Sequence, residues 1–427
     1  MSNITAVTSV ACALVSLIAC GGRADLGTDF TTAHDGGEPP ALGPRTAEDA
    51  LSCQRPNASS PTERWLRNVG DDHVFELSSI ASDAEGNAFL ARSAGETLKF
   101  DPNGTLLWSR HFGSHIAVKG DTNVTVAGTF TGTLDLGVTT LTSGGGSDVY
   151  VVELDTNGDV LYASALGGPD DEVVSGLAVD GAGNALVSGA GLGTVKLDAN
   201  GASVWKRDLY GHVAVDSRGN VLVGGSFTGT LDFGGGPLTS AGGEDIFVAK
   251  LDAAGNHVFS RRFGDADATQ RAEAIAVDPG DNVLVSGVFE GTVDFGAGPL
   301  SLEQRSCPSE VPCKRAGFVV KLDAGGRHVF GLVRGPMRSL SGIASDSRGN
   351  VLVSGASPGG VPPYVIPLLV QFDADGKELW KRTEWPQTGI GAGHRVTADP
   401  CDAVLWSLSV RPTLDTDERA YLAKITP

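Results

Sequence analysis

Residues 212–264 constrain this chain more than any other stretch. They read HVAVDSRGNVLVGGSFTGTLDFGGGPLTSAGGEDIFVAKLDAAGNHVFSRRFG, and nearly everything after residue 62 is a variant of them. Four strand-like runs stand out: HVAVD, NVLVGGSF, DIFVAKLD and NHVFSRRF. The short turns SRGN and AAGN join the first run to the second and the third to the fourth. The runs are β-branched and alternate, as half-buried strands do. One unit cannot bury its own apolar faces, so copies must stack on neighbours.

The first turn recurs seven times: ASDAEGN (81–87), AVKGDTN (117–123), AVDGAGN (178–184), AVDSRGN (214–220), AVDPGDN (276–282), ASDSRGN (344–350) and TADPCDA (397–403). The second recurs six times, from KFDPNG (99–104) to QFDADG (371–376). Asp opens these turns because its carboxylate accepts the turn's own amide hydrogens, and Gly or Asn supplies the positive φ. The fourth run carries an aromatic residue: Trp108, Tyr162, Trp205, Phe259, Phe330 and Trp380. The seventh copy ends at AKITP, before its fourth run. Residues 63–70 (ERWLRNVG) match that run, compared with VWKRDLYG at 204–211, and Trp65 is the missing aromatic. The count predicts an all-β fold, a seven-bladed β-propeller of four-stranded antiparallel blades whose last blade is closed by the N-terminal strand 63–70. Closure hides the sheet edges that an open array exposes.

Ahead of the repeats, residues 4–19 are uncharged and mostly apolar. They are too short to span a bilayer comfortably and sit where an export signal's apolar region sits. Leu17-Ile18-Ala19-Cys20 resembles the bacterial lipobox, although no Lys or Arg precedes the run. That resemblance implies that Cys20 is the lipidated first residue of the mature chain. Residues 21–62 are polar, rich in Gly, Pro and Thr, and read as a flexible tether. The expected organisation is a signal peptide with lipobox (1–20), the tether (21–62) and the propeller (63–427).

Beyond the leader, four cysteines remain: Cys53, Cys307, Cys313 and Cys401. An even number in an exported chain suggests two disulfides with three possible pairings. Cys307 and Cys313 bracket CPSEVPC and favour a local bridge, which leaves Cys53 for Cys401; free buried thiols are the alternative. These cysteines lack the close paired spacing of a structural zinc site. The net charge of −19 argues against a nucleic-acid partner, because phosphate neutralisation needs clustered Lys and Arg.

Length varies in two kinds of connection. Blades 2, 4 and 5 carry long excursions between second and third strands, and the fourth-to-first connections differ from blade to blade. In a propeller both kinds emerge on one face, and loops are where binding concentrates. A partner is therefore expected at 128–148, 224–245, 287–316 and 355–366. Candidate binding-face residues are Asp71, Asp72, Asp170, Asp171, Asp245 and Asp265, with Phe227 and Phe289 as aromatics. Asp148, Glu172, Glu244 and Asp267 lie nearby in sequence. Calcium prefers clustered carboxylate and carbonyl oxygens and is the one ligand these acids suggest; solvated loop tips are the alternative. No cofactor other than calcium is expected. His73 and His394 are placed in loops of the same face. No G-x-S-x-G elbow, H-E-x-x-H pair or phosphate-cradling loop ending in Lys occurs, so no catalytic residue is assigned.

The motif G-x-F-x-G-T-x-D-F-G-x-G-P-L, followed by D-x-F-V-x-K-L-D-x-x-G, resembles the bacterial seven-bladed β-propeller repeat family of secreted proteins and lipoproteins. The resemblance spans 63–427 and implies a fold and an exported location rather than an activity. FDADGKELWKRT (372–383) also resembles the tryptophan motif of quinoprotein propellers, which implies eight blades against the seven counted. The expectation is an exported, lipid-anchored, non-enzymatic binding or scaffolding module. It is expected to act as a monomer at the cell envelope, in the outer membrane or on the cell surface. Its partner would be a protein or polysaccharide, and it would touch the membrane only through its lipid. The alternatives are a periplasmic or secreted form, a hydrolase or quinone-dependent dehydrogenase, and a carbohydrate-binding propeller.

Overall fold

The Asp-opened turns close as the sequence predicts. Asp216 Oδ1 accepts the amides of Arg218 at 3.0 Å and Asn220 at 2.9 Å, and Gly219 takes φ +77°. The computed structural model describes residues 62–70, 77–93, 95–120, 123–266, 268–301, 315–358, 365–383, 390–411 and 419–426. These form seven four-stranded antiparallel sheets, the first six of them meanders, and no helix occurs among them. Blade 4 is typical: His212–Val215, Val221–Phe227, Asp245–Leu251 and His257–Phe263. The first strands of the blades touch one another in order around the axis. They are Leu77–Ser82, His115–Lys119, Val173–Val179, His212–Val215, Gln270–Val277, Ser339–Ser345 and Ile390–Ala398, and the last contacts the first.

Blade 7 is completed from the front of the chain. Thr62–Gly70 pairs antiparallel with Arg419–Thr426, with Trp65 opposite Lys424. Trp65 is buried among Leu98, Phe100, Leu405 and Leu422. Its Nε1 donates to the Pro102 carbonyl at 3.0 Å, and its ring covers Gly104 in the next blade's turn. Trp108 covers Gly158 and donates to Thr156 O at 3.1 Å, and Trp205 covers Gly255 and donates to Ala253 O at 3.1 Å. The seam is thus built like the other joints.

A second repeated device lies inside the blades. Lys99, Lys196, Lys250, Lys321 and Lys424 on third strands pair with the turn carboxylates of Asp83, Asp180, Asp216, Asp278 and Asp399. Both partners are buried in every case. The ammonium also reaches a carbonyl of the following blade, as Lys250 does to Ala324 at 3.3 Å, so one cation fastens a turn, a strand and a neighbour. In blade 2 the residue types are exchanged, with Lys119 at the turn position and Glu153 on the third strand.

The excursions depart from expectation. Two do form hairpins, Thr230–Asp232 with Pro237–Thr239 and Thr292–Asp294 with Pro299–Ser301. They do not stand off the loop face. Phe233 lies 5.2 Å from the Phe247 ring, and Phe295 lies 5.0 Å from both Phe263 and Phe318. Gly235 sits against the His257 ring, just past the turn at the opposite end of the blade. Each hairpin is drawn back along the rim because its phenylalanine completes the core. Blade 2 instead extends Asn123–Asp135 and Thr140–Leu154 as one ribbon, with Leu134, Leu136 and Leu141 packed inward.

Candidate functional site

Among the described residues, two cavities lie along the axis. One, of about 500 Å³, opens among the uniform turns and is lined by Asp83, Asp278, Asp346 and Asp399 with Ser217 and Ser347. Three of those carboxylates belong to the lysine pairs, and Asp346 accepts Gln371 Nε2 at 3.0 Å. The other, of about 180 Å³, lies deeper and is lined by His115, His212, Glu273, Ser341 and Arg395. Arg395 projects from blade 7 and clasps both neighbours. Its Nε donates to Ser78 O at 2.8 Å and its Nη1 to Ser341 O. Glu273 Oε2 accepts the Leu340 amide at 2.6 Å. Burial raises the Glu273 carboxyl above the usual range despite that bond and nearby arginines. Burial, with a smaller push from the Arg395 charge, lowers His115, His212 and His394 to about 4 each. At neutral pH the channel therefore carries neutral imidazoles around one fixed guanidinium.

His394 corrects the sequence reading. It lies on the innermost strand of blade 7 rather than in a loop, and its Nε2 contacts Ser409 Oγ at 2.9 Å. The sequence carries a signal for the channel residues that no local motif makes visible. Aligned on the turn position, the seven first strands carry His115, His212 and Arg395 where the others carry Ser79, Gly176, Ala274 and Gly342. Three large polar groups at one register of a closed ring have to share its axis.

The acids expected on the binding face separate into different roles. Asp170 is exposed, and Asp171 accepts the Ser147 amide at 2.8 Å and hydroxyl at 3.0 Å. Those bonds hold the Asp171 carboxyl below its usual range. Asp265 caps two segments at once, accepting the amides of Ala268 at 3.0 Å and Thr292 at 2.9 Å. Asp245 is not a loop residue: it begins a third strand, is wholly buried, and pairs with Arg262 at 2.6 Å. Phe227 and Phe289 are likewise core residues. Each is buried and packs on a ring of its own blade, Phe247 and Phe318 respectively, because an aromatic on a second strand points between sheets. Neither offers a stacking surface to a ligand. Among the described residues no three His, Cys, Asp or Glu side chains gather as a metal site. Cys20, Cys53, Asp71, Asp72, Cys307 and Cys313 lie outside the described residues. Cys401, in the turn before Val404–Arg411, carries a disulfide whose other half lies outside them too.

Against known proteins the fold is what is shared. The chain is a seven-bladed β-propeller. The WD40 repeats of RRP9 superpose with a TM-score of 0.53 at 12% identity, covering 84% of this chain and 97% of that one. U3-55K gives 0.52 at 12% identity, covering 84% and 98%. BamB from Moraxella catarrhalis gives 0.42 at 14% identity, covering 85% and 97%. No protein-family model matches the sequence, and no curated protein does. At these identities the likeness concerns the propeller's architecture alone.

Proposed function

We propose that this propeller is a non-enzymatic binding or scaffolding module, exported and held at the cell envelope by a lipid on Cys20. One observation carries the binding reading: the division of its connections between the two faces. The described first-to-second and third-to-fourth turns repeat one Asp-opened geometry. The second-to-third connections on the other face range from the tight glycine turn at Gly191–Gly193 to the rim-hugging hairpins of blades 4 and 5. A rigid ring that varies at one face is a platform with one face given to recognition. That face is formed by the fourth-to-first connections and the roots of the excursions. The partner is a protein or polysaccharide of the envelope. Export is supported by the apolar run 4–19 with its lipobox-like end. The half-cystine at Cys401, for which Cys53 is the assigned partner, also suits an oxidising compartment. A non-reducing peptide map joining Cys401 to any other cysteine overturns that pairing.

The test uses photo-crosslinking side chains in intact envelopes. They replace Asp170 or Ala241 on the loop face, and Arg218 on the uniform-turn face, all three exposed. Adducts are expected from the first two positions and not from the third, and Cys20→Ser is expected to release the chain from the membrane fraction. Equal labelling from both faces, or membrane retention of the Cys20→Ser chain, counts against the reading.

A further inference from the structure

Two buried carboxylates meet where blade 2 joins blade 3. Asp148 is 3% exposed; its Oδ2 accepts the Gly144 amide at 2.7 Å, and its Oδ1 has no hydrogen-bond partner. Glu172 is 6% exposed, and its Oε2 accepts the Gly168 amide at 3.1 Å. Both face the backbone of Gly167. A β-carbon there would lie 2.5 Å from Glu172 Oε2 and 2.6 Å from Asp148 Oδ1. Among the described residues neither acid has an ion-pair partner.

The sister blades show how the charge at this position is otherwise met, although Asp245 Oδ1 in blade 4 also lacks a hydrogen-bond partner. Asp148 lies opposite Phe130 in its sheet, as Asp245 lies opposite Phe227 in blade 4 and Ala316 opposite Phe289 in blade 5. Glu172 bonds back to Ser147 O at 2.7 Å, as Gln270 does to Glu244 O at 2.8 Å and Met337 to Arg315 O at 3.2 Å. Blade 4 therefore answers its aspartate with a neutral Gln270 and the Arg262 guanidinium, and blade 5 replaces the pair by Ala316 and Met337. In blade 2 the glutamine position is Glu172, and the arginine position, opposite Tyr150 as Arg262 is opposite Phe247, is Ala165. Of these three joints, blade 2 alone faces two acids without a cation of its own. Burying like charges uncompensated is strongly unfavourable.

We propose that a hard divalent cation of the calcium class binds between Asp148 and Glu172. The donor set is oxygen only, which disfavours zinc, and an irregular mixture of carboxylate, carbonyl and water suits calcium better than the strict octahedron of magnesium. Carbonyl oxygens are at hand because the glycines at 144–146, within the strand Thr140–Leu154, let two chains close together. A β-carbon on Gly144 would lie 3.0 Å from Gly168 O, and one on Gly146 would lie 3.0 Å from Asp170 O. The cation thus ties the blade 2 excursion to the connection into blade 3, on the loop face.

The experiment uses purified full chain stripped with a chelator. Calorimetric titration with calcium chloride, and thermal unfolding with and without millimolar calcium, are the readouts. Calcium is expected to bind and to raise Tm by several degrees. Asp148→Asn and Glu172→Gln are each expected to weaken the binding at least tenfold and remove the Tm shift. The double variant Ala165→Arg, Glu172→Gln rebuilds the blade 4 arrangement, and it is expected to fold stably and ignore calcium. A wild-type chain indifferent to calcium overturns the proposal, as does a calcium response that survives in either single variant or in the double variant.

Discussion

Lys250 and Asp216 show how single residues hold this ring. Their charged atoms are 2.7 Å apart and both side chains are buried. Burial alone would raise the carboxyls of Asp180, Asp216 and Asp278. Hydrogen bonds from their lysine and asparagine partners overcome it and hold all three below the usual range. A carboxyl depressed in the folded state contributes stability that is complete above its unfolded value, about 4, and is lost as pH falls through the folded one. Three buried histidines act in a different window. His115, His212 and His394 sit at about 4 when folded, whereas an unfolded imidazole titrates near 6.5. Between those values the unfolded chain binds more protons, so stability falls as pH drops from about 6.5 to about 4. Urea unfolding at pH 7.5, 5.5 and 4.5 is expected to show a loss on the order of 1 kcal/mol or more per histidine across that window. Replacing His115 and His212 by Gln is expected to flatten the loss, and an unchanged slope refutes the assignment. The sequence showed each Asp-opened turn but not its lysine, since the two charges lie about one strand pair apart and meet only when the sheet forms.

At the scale of elements, the outer strand of one blade is fixed by the turn of the next. Trp65 over Gly104 is the joint that completes the circle, and Gly104 has φ +80° with no room for a β-carbon under the indole. Trp65→Ala removes that cover and the bond to Pro102 O. It is expected to cost about 3 kcal/mol, read as a shift in denaturant midpoint at constant slope. A loss no larger than that of an exposed outer-strand residue such as Leu107 would mean that the seam is held otherwise. The aromatic of the fourth strand was legible because it recurs at one position in every repeat. The excursions were legible as insertions but not in their direction. Phe233 and Phe295 read the same in sequence whether a loop projects or folds back, and only the space beside Phe247 and Phe263 decides it.

For the molecule as a whole, closure is the property on which the rest depends. Residues 62–70 cover the outer edge of Arg419–Thr426. Deleting residues 1–70 is expected to leave that edge unpaired and to yield oligomers or aggregate in size-exclusion chromatography. Adding the 62–70 peptide is expected to restore monomer, and a monomeric deletion variant with unchanged Tm rules out closure as described. Arg395, which reaches blades 1 and 6 from blade 7, reinforces the same sector from inside the channel.

The sequence by itself determined the repeat, the number of blades, the turns and the strand exchange between the chain's two ends. Each of these is written in residues within one repeat, or in the mismatch between the first copy and the last. Only the tertiary structure decided that two histidines and an arginine share the axis, that Asp245, Phe227 and Phe289 are interior, and that Asp148 and Glu172 face each other. Such meetings join residues of different strands and blades, and their approach is set by how sheets pack around the axis, which no local spacing encodes.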